Sequence, residues 1–338
     1  MELTLLHQTM SYLYENYFAD ERAWVVAFSG GKDSTLLLQL VYQLLLDNKH
    51  KAKKIVYVLS SDTHVEPPNI AEYLRQTLNA IEESAINNNL PIKVRLVKPN
   101  IEDRFWAKLI GKGYPSPTYW FRWCTNYMKI KPANREILDI TRRHGSVILL
   151  LGTRIKESIQ RGQRMQSRQY NERGLNPHNE IPNILIASPI AQWSTDEVWE
   201  YLFNNNPSPW GINHNFLLNL YRKASGGECP IVLDLNTPSC GGSRFGCWVC
   251  TVVKEDKSMD GFIASGEENL RPLFDFRNWL KLIREDPQMR MVIRRNSSKG
   301  PGPFTPDARK EILKRLLNTE ALTNLQLISD DEIISSYP

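Results

Sequence analysis

Residues 24–46 read WVVAFSGGKDSTLLLQLVYQLLL, and three kinds of local structure follow in order along those letters. Trp24 to Phe28 is a short apolar run bounded by a glycine-containing turn, the pattern of a buried strand. Thr35 to Leu46 is apolar for long enough to form a helix. Between them stand Ser29-Gly30-Gly31-Lys32-Asp33-Ser34. The two glycines let backbone N–H groups converge on an anion, and Ser29, Ser34 and Thr35 add hydroxyl donors. Lys32 adds a positive charge, and a helix N-terminus lies behind it. Such a loop suits a phosphate. It is not a Walker A loop, which has four residues between its glycines and Lys-Ser or Lys-Thr after the second. Asp33 fits two roles, a ligand for Mg²⁺ bridging phosphate oxygens or a cap for the helix.

The strand, loop, helix unit repeats outward from this centre. Ile55 to Ser60 (IVYVLS) is a second strand, followed by Asp62, Thr63 and a Glu66-Pro67-Pro68 turn, then by Ile70, Leu74, Leu78 and Ile81 at helical spacing. Ile92 to Val97 and Val147 to Leu151 are further strands, the latter apolar throughout as in a strand buried on both faces. Ile184 to Ala187 and a helix capped by Ser194 or Thr195 complete the series, and an amphipathic helix precedes it. Strands alternating with helices imply an α/β fold with a parallel twisted sheet, whose ligands sit at the carboxyl ends of the strands. The glycine loop, Asp62 and Gly152-Thr153-Arg154 all fall at such ends. Asp62 therefore fits a ribose or metal contact, or a plain turn residue.

The composition divides the chain into three parts. Residues 1–203 carry the α/β pattern, 204–258 are rich in Asn, Pro, Gly and Cys, and 259–338 are helical and basic. With 338 residues, 41% of them hydrophobic, the chain can build a substantial core. No apolar run reaches the roughly 20 residues of a membrane span. The opening MELTLLHQTMSYLYENYF has neither the basic region nor the cleavage site of an export signal, so a cytoplasmic chain away from membranes is expected. A net charge of +5 does not by itself identify a nucleic-acid binder. In the last part, Arg277, Lys281, Arg284, Arg290, Arg294, Arg295 and Lys299 lie near Phe274, Phe276 and Trp279. That combination suits DNA phosphates, a partner protein or an ordinary solvated face.

Cys229, Cys240, Cys247 and Cys250 cluster in the middle part, with the last two forming C-x-x-C, while Cys124 stands apart. An odd count without an export signal argues against a disulfide framework. Four thiolates so close together enclose zinc or an iron-sulfur cluster, and the single C-x-x-C pair disfavours a zinc ribbon. The histidines show no ligand spacing, the segment around His178 reads as loop, and no Ser, His, Asp set suggests a hydrolase.

SGGKDS resembles the pyrophosphate (PP) loop of the N-type ATP pyrophosphatases, which implies an adenine nucleotide alpha hydrolase-like fold and cleavage of ATP between its α and β phosphates. Tyr119-Trp120-Phe121-Arg122-Trp123-Cys124-Thr125, running on to Lys129-Ile130-Lys131-Pro132, resembles the signature of the adenylylsulfate and phosphoadenylylsulfate reductase branch. So does Gly152-Thr153-Arg154 with Glu157, Ser158 and Arg161. Arg122, Lys129, Arg154 and Arg161 would then form a cationic wall for a second anion, a task suited to guanidinium groups. The stretch GGECPIVLDLNTPSCGGSRFGCWVCTVV resembles the DndC sulfurtransferases of DNA phosphorothioation and their SspD relatives, a resemblance covering most of residues 20–305.

That resemblance implies ATP, Mg²⁺ and a 4Fe-4S cluster as cofactors. It implies DNA as substrate, with a cysteine desulfurase and other phosphorothioation proteins as partners. By analogy with the reductase branch, Cys124, Cys240, Cys247 and Cys250 would hold the cluster and leave Cys229 to carry sulfur. The alternative set has Cys229 as ligand and Cys124 as carrier. Two other readings use the same pocket. One is an adenylylsulfate-type reductase, although the tail ending Ile334-Ser335-Ser336-Tyr337-Pro338 lacks the cysteine such enzymes keep there. The other is a noncatalytic nucleotide-sensing or DNA-binding component.

Overall fold

The structure is a computed structural model that describes residues 3–157, 163, 165, 167, 170–224 and 246–336. Its sheet is built around strand β1 (Ala23–Ala27), which pairs in parallel with β2 (Val56–Ser61) on one side and β4 (Val147–Leu150) on the other. Val25 is the pivot of the register, standing opposite Tyr57 and Leu149. Strand β3 (Ile92–Val97) extends the sheet beyond β2, and β6 (Ile184–Ala187) extends it beyond β4. The order is therefore β3-β2-β1-β4-β6-β5. The chain winds away from β1 in one direction and then restarts in the other. The crevice between the carboxyl ends of β1 and β4 is the switch point at which doubly wound sheets bind ligands.

The predicted strands recur within one residue of their expected bounds: β1, β2, β4 and β6 are apolar runs buried on both faces, and β3 (IKVRLV) alternates at the exposed edge of the sheet. The exception is β5 (Asn176–Pro177), which adds an antiparallel edge to β6 where the sequence reading placed loop. Two residues carry no periodicity to detect, and proline is tolerated at an edge because it need not donate to a ladder.

Alternate strand residues face opposite sides. Trp24 and Val26 join the larger apolar cluster with helices α1 (Leu3–Phe18), α2 (Lys32–Asp47) and α3 (Pro68–Asn87). Val25, Tyr57, Leu149 and Ile186 join the smaller one under α4 (Lys131–His144). Helix α5 (Thr195–Asn204) closes the larger face. Its N-terminus is fixed by a capping box in which Ser194 Oγ accepts from Glu197 N and the Glu197 carboxylate accepts from Ser194 N. Helix α6 (Asn215–Ala224) follows, then α7 (Lys257–Ala264), α8 (Arg271–Glu285), α9 (Pro306–Thr323) and α10 (Asp330–Ser336).

The C-terminal helices do not form a core of their own. Phe276, Leu280, Ile312 and Leu316 belong to the same apolar cluster as Trp24 and Trp106. Trp106 Nε1 donates to Leu327 O at 2.7 Å, fastening the chain after β3 to the segment between α9 and α10. Among the described residues no helix is long and apolar enough to cross a membrane.

Candidate active site

The glycine loop leaves β1 and enters α2 through Gly30, whose φ of +73° lies in the left-handed region that favours glycine. Ser34 locks the turn, its Oγ accepting from Ser29 N at 3.2 Å and donating to Gly31 O at 3.0 Å. Gly31 is the N-cap residue of α2 and has no side-chain cap, so the loop's N-terminal face opens towards the cleft. Asp33 is therefore not the helix cap. Its Oδ1 accepts from Arg154 Nε at 2.7 Å and its Oδ2 from Lys32 Nζ at 3.1 Å.

Arg154 follows β4 and is buried, with its side chain 2% exposed. Besides Asp33, it donates through Nη1 to Trp193 O at 3.1 Å and through Nη2 to Thr195 Oγ1 at 3.2 Å. Each nitrogen of the fork thus has a protein acceptor. Arg154 lines the cleft, but its contacts hold Asp33 and the start of α5 in place. Gly152 lets the two ends of the switch point meet, since a Cβ there would stand 3.0 Å from Asp33 O and 3.1 Å from Ser34 N. From the other side, the Tyr221 hydroxyl of α6 accepts from Lys32 N at 3.3 Å, and Lys32 Nζ lies 5.1 Å from the centre of the Tyr221 ring. Nothing in the sequence marks Tyr221, an aromatic on an amphipathic helix.

These groups open on a cleft of about 1030 Å³. Ser29 to Ser34, Gly152 and Arg154 line it, together with Glu66, Lys129 and Cys247. Asp62 is absent from that lining. Its Oδ1 accepts from His64 N at 2.9 Å and its Oδ2 pairs with Lys98 at 3.5 Å, which is the turn role. Arg122 is also outside the lining, exposed and stacked 4.8 Å over the Tyr119 ring.

Cys124 immediately precedes a π-helical turn (Thr125–Ile130) that runs into α4 and carries Lys129 into the cleft. Cys247 and Cys250 are joined by a turn in which Cys250 N donates to Cys247 O at 3.0 Å. Trp248 N ties that turn to Val65 O at 3.0 Å, beside the Thr63 hydroxyl, which lies 3.7 Å from Cys247 Sγ. Glu66 organises this corner by accepting from both Thr63 N, at 3.1 Å, and Thr63 Oγ1, at 2.5 Å. In the sequence Glu66 is only the first residue of the Glu66-Pro67-Pro68 turn, with no local signal of this role.

The electrostatics of the corner are shared among its members. Burial pushes the Cys247 thiol up to about 11, against the pull of Lys129. Burial and then the charge of Cys250 raise Cys124. Burial raises Glu66, against the hydroxyl of Thr63. Lys129 is held charged above its ordinary range, chiefly by Cys247 and secondarily by Glu66. Among the described residues, no three Cys, His, Asp or Glu side chains are grouped closely enough to hold a metal ion. Cys229 and Cys240, expected to complete or serve such a set, lie outside the described residues, as do Ser158 and Arg161.

Three cations of α8 are engaged by backbone carbonyls, while Arg271 stays exposed beside Glu268. Arg277, 1% exposed, donates to Cys250 O at 2.7 Å and Val253 O at 2.5 Å. Arg284 donates to Pro117 O at 2.6 Å and Thr251 O at 3.1 Å, and Lys281 donates to Lys254 O at 2.6 Å. These side chains pin the Cys247–Cys250 turn to the body of the protein.

A family model described as the phosphoadenosine phosphosulfate reductase domain matches residues 23–253. An uncharacterized protein of Methanocaldococcus jannaschii is 25% identical over 245 residues, which are 72% of this chain and 39% of that protein. The match thus covers well under half the length of this relative. Similar solved structures include the FMN adenylyltransferase of Candida glabrata in complex with FMN and an ATP analogue, at 14% identity, TM-score 0.39, and coverage of 92% of this chain and 81% of that one. The NH3-dependent NAD synthetase of Campylobacter jejuni has 12% identity, TM-score 0.39, and coverage of 82% and 92%. The U34-tRNA thiolase NcsA of Methanococcus maripaludis with its [4Fe-4S] cluster has 12% identity, TM-score 0.34, and coverage of 83% and 81%.

Proposed function

The chain belongs to the phosphoadenosine phosphosulfate reductase domain family and carries its PP-loop, ATP pyrophosphatase-like domain, and from that premise we propose that it is an ATP-dependent sulfurtransferase of DNA backbone phosphorothioation. The observation that carries the reading is the sharing of one cleft by the phosphate-type loop Ser29–Ser34 and the Cys247 thiol. An anhydride-cleaving loop facing sulfur chemistry suits activation followed by sulfur insertion.

In the first step, a nonbridging oxygen of the DNA phosphate attacks the α-phosphorus of ATP. The bond to the β-phosphate breaks, and pyrophosphate leaves with the electron pair. Lys32, moving from Asp33 Oδ2 to the phosphates, stabilises the charge on the leaving group, together with the N–H groups at the start of α2. The carboxylate oxygen it vacates would suit Mg²⁺, which would neutralise phosphate charge when bound. In the second step, the terminal sulfur of a cysteine persulfide, charged by a cysteine desulfurase, attacks the activated phosphorus and AMP departs. A thiol reductant from solution then attacks the carrier's own sulfur and breaks the S–S bond, leaving sulfur on the phosphate and the carrier in a mixed disulfide that a second thiol reduces.

Cys124, Cys247 and Cys250, with Cys240, are the residues that would hold a 4Fe-4S cluster, whose chemistry is to bind soft sulfur. Cys229 is then the sulfur carrier. Iron and sulfide analysis of anaerobically purified Cys124→Ser and Cys229→Ser tests this assignment. Loss of iron from the Cys124 variant alone supports it, and loss from the Cys229 variant alone reverses the two roles.

Pyrophosphate release from ATP tests the first step. The wild-type protein is expected to release pyrophosphate and AMP, and Lys32→Ala to lose at least 100-fold in rate, on the order of removing one key electrostatic donor. Release of ADP and phosphate would sink the proposal. The family match also keeps a reductase-type reading open. Sulfite release with a thiol reductant and no ATP cleavage is its signature.

A further inference from the structure

An almost fully exposed tryptophan needs an explanation, because it leaves a large apolar surface in water. Trp120 is 90% exposed, Tyr119 58% and Phe121 45%. They do not sit on a floppy tip. Thr118 and Phe121 exchange both backbone hydrogen bonds at 3.3 Å, and Phe121 N also donates to Thr118 Oγ1 at 3.0 Å. Tyr119 and Trp120 therefore occupy the corner of a two-residue turn. The stem of that turn is bolted down: Pro117 O accepts from Thr251 Oγ1 at 2.8 Å and from Arg284, and Pro115 O accepts from Trp123 Nε1 at 2.9 Å. A rigid stem presenting an exposed ring, braced by a T-shaped contact with Tyr119 at 4.9 Å between ring centres, is preorganised for binding.

The chemistry around the turn narrows the occupant. Arg122 lies 4.8 Å over Tyr119, Arg295 lies 4.2 Å over Tyr114, and Lys131 lies 4.2 Å over Tyr127. Tyr114 in turn stacks on Phe121, with ring centres 6.2 Å apart and planes 8° from parallel. The patch is thus a series of rings, of which Tyr114, Tyr119 and Tyr127 each carry a cation on the face. The carboxylate that enters these contacts, Asp103, is already paired with Lys108 at 2.6 Å. Protein interfaces are depleted of lysine at their centres. Interleaved aromatic rings and cations are the composition of single-strand nucleic-acid surfaces, where bases stack on rings and phosphates meet the charges.

We propose that the Tyr119–Arg122 turn is a base-stacking platform that binds an unpaired stretch of DNA through Trp120, with Arg122 and Lys131 on the flanking phosphates. The proposal rests on the reading that a DNA phosphate is what the cleft activates, and it adds the form in which that DNA is held. The face of the Trp120 ring can stack only on a base whose own face is uncovered, so a fully paired duplex is a poor ligand. Position supports the assignment: Trp120 is four residues before Cys124, a reach of at most about 14 Å along extended chain.

The test is fluorescence anisotropy with a labelled single-stranded 12-mer and the same sequence as a duplex, at 50 and 200 mM salt. The single strand is expected to bind at least 10-fold more tightly, with affinity falling as salt rises. Trp120→Ala should weaken it about 10-fold or more, the scale of one lost stacking contact, while Trp120→Phe recovers most of the loss. Trp120 is exposed, so the thermal midpoint of the alanine variant serves as the folding control. Equal binding by Trp120→Ala, or a preference for the duplex, overturns the proposal. So does finding that Trp120→Ala leaves DNA binding intact but abolishes self-association in sedimentation, which assigns the patch to a protein. Pyrophosphate release by the wild-type chain is measured separately. A chain that binds single strands through Trp120 yet releases no pyrophosphate fails the adenylylation reading, not this one.

Discussion

At the scale of single residues, the cleft depends on how Asp33 is held. Its two oxygens accept from different cations, Lys32 free to turn to a ligand and Arg154 fixed by Trp193 O and Thr195. The expectation that Arg154 walls a second anion came from its place at a strand end, and strand ends do line the cleft. What sequence could not convey is that Trp193 and Thr195, some forty positions later, provide the acceptors for that guanidinium. Arg154 is thus a positioning residue. Arg154→Met leaves Asp33 with one partner in a partly dry site and should cost about 3 kcal/mol of stability, read from denaturant unfolding. Arg154→Lys keeps the charge without the fork, so pyrophosphate release at saturating ATP should fall at least 10-fold with little change in KM. Equal loss in the two variants with KM raised instead would make Arg154 a direct phosphate contact.

At the scale of elements, helix α6 is oriented against α2 by two contacts at its ends. Tyr221 meets Lys32 N near the C-terminus, and His214, just ahead of the helix, meets Gln39 with its Nε2 2.9 Å from Oε1. His214 is 1% exposed, and burial pushes its pKa from the ordinary 6.5 down to about 4. The folded state therefore refuses a proton that the unfolded chain accepts below pH 6.5. Stability is fully present above that value and is lost as pH falls towards 4, by about 1.4 kcal/mol per pH unit and about 3 kcal/mol in all. Thermal unfolding should show a midpoint that drops between pH 7 and pH 5, and His214→Gln should flatten that part of the curve. An identical pH profile in the variant would refute the assignment. The strands, by contrast, were legible almost to the residue, because short apolar or alternating runs between turn signals have few other solutions. Strand β5 and the π-helical turn before α4 were not, since one is too short for a period and the other differs from an α-helix only in its hydrogen bonds.

At the scale of the whole molecule, the C-terminal helices act as a brace for the cysteine turn. Their cations look in sequence like a nucleic-acid surface, yet Arg277, Lys281 and Arg284 donate to carbonyls of residues 117 and 250–254. Arg277→Met should lower the thermal midpoint by several degrees and, in anaerobically purified protein, reduce bound iron; retention of both would show that the brace is dispensable. The patch with rings and cations lies instead on the Tyr119 turn and the neighbouring Tyr114 and Tyr127. By itself, the sequence determined the α/β class, the strands, the position of the phosphate-type loop and the sulfur-bearing segment, because periodicity and short motifs are local properties of the chain. Only the tertiary structure decided that Asp62 serves a turn, that Arg154 serves Asp33, and that Glu66, Lys129 and Cys247 share one cleft. Those outcomes depend on which acceptors and charges distant segments bring together, and contacts between side chains far apart in sequence leave no trace in local spacing.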